Sequence, residues 1–135
     1  MKQTLYLRTL LIVAGITGIS VGTGQLFFPV AFEASAGIDL GNDNNLLSEI
    51  RAAGGTLLTA GLIILCGAFR VQLARFALLL TMVFFLSYGF SRIYGMFADG
   101  MPGQSFIIVT IAEMAIGLGA ATLFYYKKRK LLHAS

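Results

Sequence analysis

Four long apolar stretches, separated by short polar segments, dominate the pattern of residues along the chain. They cover about residues 8–32, 49–69, 76–98 and 105–126. A helix that crosses the hydrocarbon core of a bilayer needs about 20 mostly apolar residues, and each stretch is long enough. The pattern therefore predicts an all-α membrane protein, a four-transmembrane-helix bundle that forms one integral membrane domain over residues 1–135.

The composition agrees with lipid as the surrounding medium. Hydrophobic residues make up 57% of the chain and charged residues 12%, which is too apolar for a water-soluble domain. The formal net charge of +4 comes from basic residues that flank the apolar stretches and form no stripe on a polar face. Membrane lipids are therefore expected partners, and nucleic acid is not.

Basic residues lie at alternate ends of the predicted spans. Eight of the ten flank one side only: Lys2, Arg8, Arg70, Arg75, Lys127, Lys128, Arg129 and Lys130. The opposite loops contain acidic residues and no lysine or arginine: Glu33, Asp39, Asp43 and Asp99. Because cytoplasmic loops carry the excess of lysine and arginine, this bias predicts a bacterial inner-membrane protein with both termini in the cytoplasm.

Three ionisable residues, Arg51, Arg92 and Glu113, fall inside the predicted spans. A charge at membrane depth costs several kcal/mol unless it is paired or hydrated, so such residues are candidates for function. A rise of about 1.5 Å per residue puts all three in the outer half of the membrane, at depths similar to that of Gln25. The candidate ligand-binding residues of the resulting polar chamber are Gln25, Arg51, Tyr88, Arg92 and Glu113, with Glu49 and Asp99 at the rim or in a structural role.

Two interpretations of these charges stay open. In the first, two arginines against one deep carboxylate leave a positive surplus, which favours the anionic or carbonyl group of a lipid, quinone or other amphiphile. In the second, Glu113 pairs with Arg92 or Arg51 only to fix helix packing, in a structural or assembly subunit of a membrane complex. A homo-oligomer or another membrane protein also remains open as a partner.

Catalysis is the weakest interpretation of Glu113. The sequence places no nucleophile, metal cluster or phosphate-binding glycine motif beside this carboxylate. No catalytic residue, cofactor or metal ligand is therefore assigned. An enzyme would instead require a pH-dependent activity that is lost in Glu113→Gln.

Small residues and one loop residue complete the predictions. Gly15, Gly18 and Gly22 share one face of the first span and are expected to pack on another span of the same chain. Cys66, the single cysteine, lies in an apolar run and is interpreted as a small buried side chain. Asn45 is interpreted as the N-cap of the helix that follows it.

The order of the polar residues resembles a known family. Glu49-x-Arg51 precedes Gly54-Gly55, and Arg92 is followed by Asp99-Gly100-x-Pro102 and then by Glu113. This arrangement resembles DUF4345, a bacterial membrane family of unknown function, over nearly the whole chain. The resemblance implies a compact four-helix membrane domain, and it brings no established activity and no catalytic residue.

Overall fold

The computed structural model describes residues 4–132, with side chains described for residues 4–126. This part of the chain is all-helical. Its helices are α1 (Leu5–Phe27), α2 (Pro29–Ser35), α3 (Asn44–Phe69), α4 (Val71–Ala98) and α5 (Gln104–Leu132). All but the short α2 are long and apolar enough to cross a membrane. The predicted class, a bundle of four membrane-spanning helices, is confirmed.

A break at Phe28 separates α1 from α2, within the stretch 8–32 that the sequence pattern treats as one span. Proline disfavours the α conformation in the residue before it, and Phe28 has φ −130° and ψ 46°, outside the helical region. The short helix then folds back on α1. A Cβ on Gly24 would lie 2.2 Å from Cδ2 of Phe32, so only glycine leaves room for that ring.

The start of α3 differs from the prediction that Asn45 is the N-cap. Asp43 is the N-cap, because its carboxylate accepts hydrogen bonds from the backbone N–H groups of Asn45 and Leu46. An aspartate is among the most favoured residues for this role. The helix consequently begins at Asn44, and the side chain of Asn45 has no part in capping.

The long helices pack in chain order, α1 on α3, α3 on α4 and α4 on α5, and the contact between α1 and α3 is the most extensive. Glycines set the closest of these contacts. A Cβ on Gly18 would lie 3.0 Å from Cα of Gly61, and a Cβ on Gly22 would lie 2.3 Å from the backbone nitrogen of Leu58. The predicted packing of the first-span glycines within the chain is confirmed.

The apolar core fills one end of the bundle. We call this the basic end, because Arg8, Arg70 and Arg75 lie there, and we call the opposite end, with α2 and the α4–α5 turn, the open end. The fully buried side chains belong to the basic end and include Leu7, Leu11, Ala14, Ala68, Ala77 and Leu78. Toward the open end the four long helices enclose a cavity instead.

The outer faces of the long helices are apolar, as membrane-facing surfaces are. Leu62 on α3, Val83 on α4 and Ile111 on α5 are each at least half exposed. Cys66 is also exposed, so the prediction that it is buried is wrong. In a membrane protein an apolar run does not tell a core-facing position from a lipid-facing one.

Candidate ligand-binding cavity

A cavity of about 540 Å³ lies between the helices in the half of the bundle toward the open end. Every helix contributes to its wall, which is mostly apolar and includes Leu57, Ile64, Phe84, Phe85, Val109 and Ile116. The charged and amide groups of the wall are Gln25 on α1, Glu33 on α2, Arg92 on α4 and Glu113 on α5. A volume of this size lies within the range of about 300–1,000 Å³ that small-molecule sites occupy.

Arg92 and Glu113 form an ion pair that joins α4 to α5. The Nε of Arg92 donates a hydrogen bond to Oε2 of Glu113 at 3.0 Å. The guanidinium carbon lies 5.5 Å from the centroid of the Phe106 ring, which adds a cation–π contact. The terminal amino groups of Arg92 have no hydrogen-bond partner within the described part of the chain. The pair thus links two helices and leaves both terminal amino groups of Arg92 free for a ligand.

Gln25 and Glu33 form a second polar pair, between α1 and α2. The Nε2 of Gln25 donates to Oε1 of Glu33 at 3.1 Å. Glu33 is only 8% exposed, yet no described cation lies within ion-pair distance of its carboxylate. The Oε1 of Gln25 is buried and lacks a donor among the described residues. This pair therefore combines a buried carboxylate with an unsatisfied acceptor.

Glu33 is the site residue that sequence reasoning missed. It was counted only among the acidic residues of a loop, because the first apolar stretch ends immediately before it. Pro29 is the signal that could have found it. A proline at this point predicts the end of one helix and the start of another, which brings Glu33 back against a residue eight positions earlier.

Arg51 is the candidate that the structure removes from the cavity. Its side chain is exposed, and its Nη1 donates to the backbone carbonyl of Leu26. The last carbonyls of a helix lack partners within that helix, and a cation is favoured beside them. Arg51 therefore caps the end of α1 and does not line the cavity.

The other predicted residues divide between the cavity and the surface. Tyr88 lines the cavity together with Gln25, Arg92 and Glu113, so four of the five candidate ligand-binding residues meet there. Glu49 and Asp99, predicted at the rim or in a structural role, are exposed and outside the lining. Asp99 caps α4, where its backbone N–H donates to the carbonyl of Gly95 at 2.8 Å.

The charge balance of the lining is the reverse of the predicted one. The described wall has one guanidinium, from Arg92, and two carboxylates, from Glu33 and Glu113. The positive surplus expected from a second arginine is absent, because Arg51 points elsewhere. Among the described residues, no group of three or more histidine, cysteine, aspartate or glutamate side chains could hold a metal ion.

The four apolar spans and the cavity between them define a multi-pass helical membrane protein. More narrowly, the chain belongs to the family described as a domain of unknown function (DUF4345), which matches residues 6–124. The resemblance seen in the sequence is thereby confirmed, and the match includes every residue of the cavity. No curated protein and no solved structure matches the chain.

Proposed function

We propose that this protein is a membrane module that binds an amphiphile in the cavity between its spans. The observation that carries the proposal is the division of the cavity wall: aliphatic and aromatic side chains make most of it, and polar groups from four helices meet in it. An apolar tail would bury its surface against the first part, and a polar group would bond to the second.

A lateral opening gives such a tail a route from the bilayer. Val109 and Ala112 of α5 line the cavity and are also exposed at the surface, Val109 by 41%. Since α1 and α5 contact each other far less than consecutive long helices do, the wall between them is incomplete in this half of the molecule. Near the basic end the same two helices do meet, where a Cβ on Gly119 would lie 3.7 Å from Leu10. An amphiphile could enter sideways without passing through water.

The setting proposed for this activity is the bacterial inner membrane, with both termini in the cytoplasm. Arg8, Arg70 and Arg75 at the basic end support that orientation, because positive charge is retained on the cytoplasmic side. Lys2 and the side chains of Lys127 to Lys130, which carry the rest of the bias, lie outside what the structure describes. With this orientation the polar part of the cavity belongs to the outer half of the membrane.

Filling the cavity tests the proposal. Val109→Trp places an indole in the cavity, whereas Ile108→Trp, its matched control, adds the same group at a 58% exposed position outside it. Native mass spectra of protein extracted in a mild detergent should show a discrete bound amphiphile on the wild type and on Ile108→Trp. The adduct should be lost from Val109→Trp, with an unchanged far-ultraviolet circular dichroism spectrum. An adduct that persists in Val109→Trp would overturn the proposal.

A second function, a structural or assembly subunit, is favoured by the Arg92–Glu113 ion pair. The 3.0 Å bond joins two spans and needs no ligand to explain it. If packing is its whole role, wild-type spectra should show no bound amphiphile, and Glu113→Gln should unfold or lose a protein partner. Native mass spectra of the wild type and Glu113→Gln distinguish the two functions, since a binding module instead carries an amphiphile that the variant loses.

A further inference from the structure

We infer that the polar group of the ligand is a protonated primary amine, held by Glu33 and Gln25. The inference rests on the proposed function, amphiphile binding in the cavity, and adds the chemistry of the headgroup. It depends on the charges and the free hydrogen-bonding positions of the cavity wall.

The charges of the wall favour a cation. Arg92 and Glu113 neutralise each other through their 3.0 Å bond, which leaves Glu33 with only the neutral amide of Gln25. A carboxylate that is nine-tenths buried is costly without a counter-charge. None of the described residues supplies one, because Arg92, the cation of the cavity wall, pairs with Glu113 and Arg51 bonds to Leu26.

The hydrogen-bonding positions favour N–H donors. An ionised carboxylate only accepts hydrogen bonds, and Glu33 receives one from Gln25. The Oε1 of Gln25 is a second acceptor without a described donor. The last side-chain torsion of a glutamine has a broad range, so the amide of Gln25 can rotate. An ammonium can then replace Nε2 as the hydrogen-bond donor to Glu33, and Oε1 can accept a second bond from the same ammonium. A primary ammonium brings three N–H donors, whereas a quaternary ammonium brings none and a carboxylate or phosphate only acceptors.

A primary ammonium on an apolar tail occurs both in phospholipids, for example those with an ethanolamine headgroup, and in free long-chain amines. A phospholipid also brings a phosphate, for which the free terminal amino groups of Arg92 are suitable donors. The recognised chemistry is the same in both, and the phosphate distinguishes them.

The test uses the full-length protein in nanodiscs of phosphatidylcholine, whose quaternary headgroup has no N–H donor. Dodecylammonium, dodecyltrimethylammonium, dodecanol and dodecanoate are added below their micelle concentrations, and bound molecules are counted by native mass spectrometry against empty nanodiscs. Dodecylammonium should bind at least about tenfold more tightly than the other three. Glu33→Gln should remove this preference, and the matched control Glu49→Gln, which changes an exposed carboxylate outside the cavity, should keep it.

A parallel series replaces a tenth of the phosphatidylcholine with phosphatidylethanolamine or with phosphatidylglycerol. Retention of phosphatidylethanolamine, and displacement of dodecylammonium by it, would identify the phospholipid as the source. A preference for dodecylammonium that phosphatidylethanolamine does not compete with would identify a free amine. Either result supports the recognition of a primary ammonium.

Other outcomes separate this inference from the proposed function. Equal binding of dodecanol or dodecanoate, abolished by Val109→Trp, would overturn the amine and leave amphiphile binding standing. If Val109→Trp abolishes the binding of none of the four amphiphiles, both the amine and amphiphile binding in the cavity are overturned. If Glu33→Gln does not fold, the affinities of the wild-type protein are sufficient for the test. Equal affinity for dodecylammonium and dodecyltrimethylammonium would overturn the role of the N–H donors.

Discussion

The helix pair α1/α3 and the helix pair α4/α5 both use glycine at their contacts, but glycine meets different groups in the two pairs. Between α1 and α3 it meets backbone. A Cβ on Gly22 would lie 2.3 Å from the nitrogen of Leu58, and a Cβ on Gly61 would lie 2.6 Å from the nitrogen of Ile19. No side-chain rotation relieves such a contact, so these two helices have a fixed spacing.

Between α4 and α5 the atoms nearest to a glycine Cβ belong to flexible side chains. A Cβ on Gly89 would lie 2.5 Å from the sulfur of Met114, and a Cβ on Gly117 would lie 2.6 Å from Cδ2 of Leu86. Methionine adapts to irregular space because its side chain is unbranched and has three rotatable bonds. The cavity between the pairs therefore has one wall of fixed backbone and one wall that side chains can adjust. Such a cavity can keep the position of its fixed wall while the side chains of the other wall adjust to amphiphile tails of different shape.

The largest expected effect is that of Gly22→Ala. The new methyl group would overlap the backbone of α3, so α1 and α3 would have to separate along their contact. We expect a loss of about 3 kcal/mol in the free energy of unfolding, at the upper end of overpacking effects. Unfolding by sodium dodecyl sulfate in mixed micelles, followed by circular dichroism, measures it. A loss below about 1 kcal/mol would show that this wall is not fixed.

The second effect concerns the ion pair on the adjustable wall. Arg92→Met strands the Glu113 carboxylate, and we expect it to cost about 2 kcal/mol, less than a fully buried pair, because the Arg92 side chain is 31% exposed. The double variant Arg92→Met with Glu113→Met should recover most of the loss. A double-mutant cycle in the same unfolding assay gives the coupling energy, and a coupling near zero would contradict a stabilising pair.

Gly89→Ala should have a smaller effect than either. Its methyl group meets the end of Met114, which can move to another rotamer, so we expect a loss of about 1 kcal/mol or less. The free energy of unfolding, measured beside that of Gly22→Ala, tests the contrast between the walls. Equal losses of unfolding free energy in Gly89→Ala and Gly22→Ala would contradict a difference between the two walls.

Gly55→Ala should have the smallest effect. This glycine lies on α3, but a Cβ there would meet nothing within 4 Å. Alanine is the better helix former, so the free energy of unfolding should stay within about 0.5 kcal/mol of the wild-type value or rise. The variant serves as the matched control for Gly22→Ala, since a large loss at Gly55 would mean that any methyl group on this pair disturbs folding.

The sequence predicts the spans well because apolar length is a direct requirement of the bilayer. It also predicts four residues of the cavity wall, since polar groups within spans are rare and tend to meet. It misplaces Arg51 because depth along a helix does not specify the face on which a side chain lies. Arg51 has the expected depth but turns to the carbonyl of Leu26. The sequence does not identify Glu33 as a cavity residue, because its burial depends on how α2 folds back on α1. Pro29 predicts the break between the helices but not the direction in which α2 packs.

The order in which the helices pack has a consequence for biosynthesis. The main contacts join long helices that are consecutive along the chain, so a span can pack on its neighbour as soon as that neighbour has been synthesised. Contacts between α1 and α3, and then between α3 and α4, need nothing that is made later. The last span, α5, contributes Glu113 and the exposed edge at Val109 and Ala112. During synthesis the cavity is therefore completed only when α5 is in place, and a chain that stopped after α4 would leave the cavity open along the whole side that α5 covers.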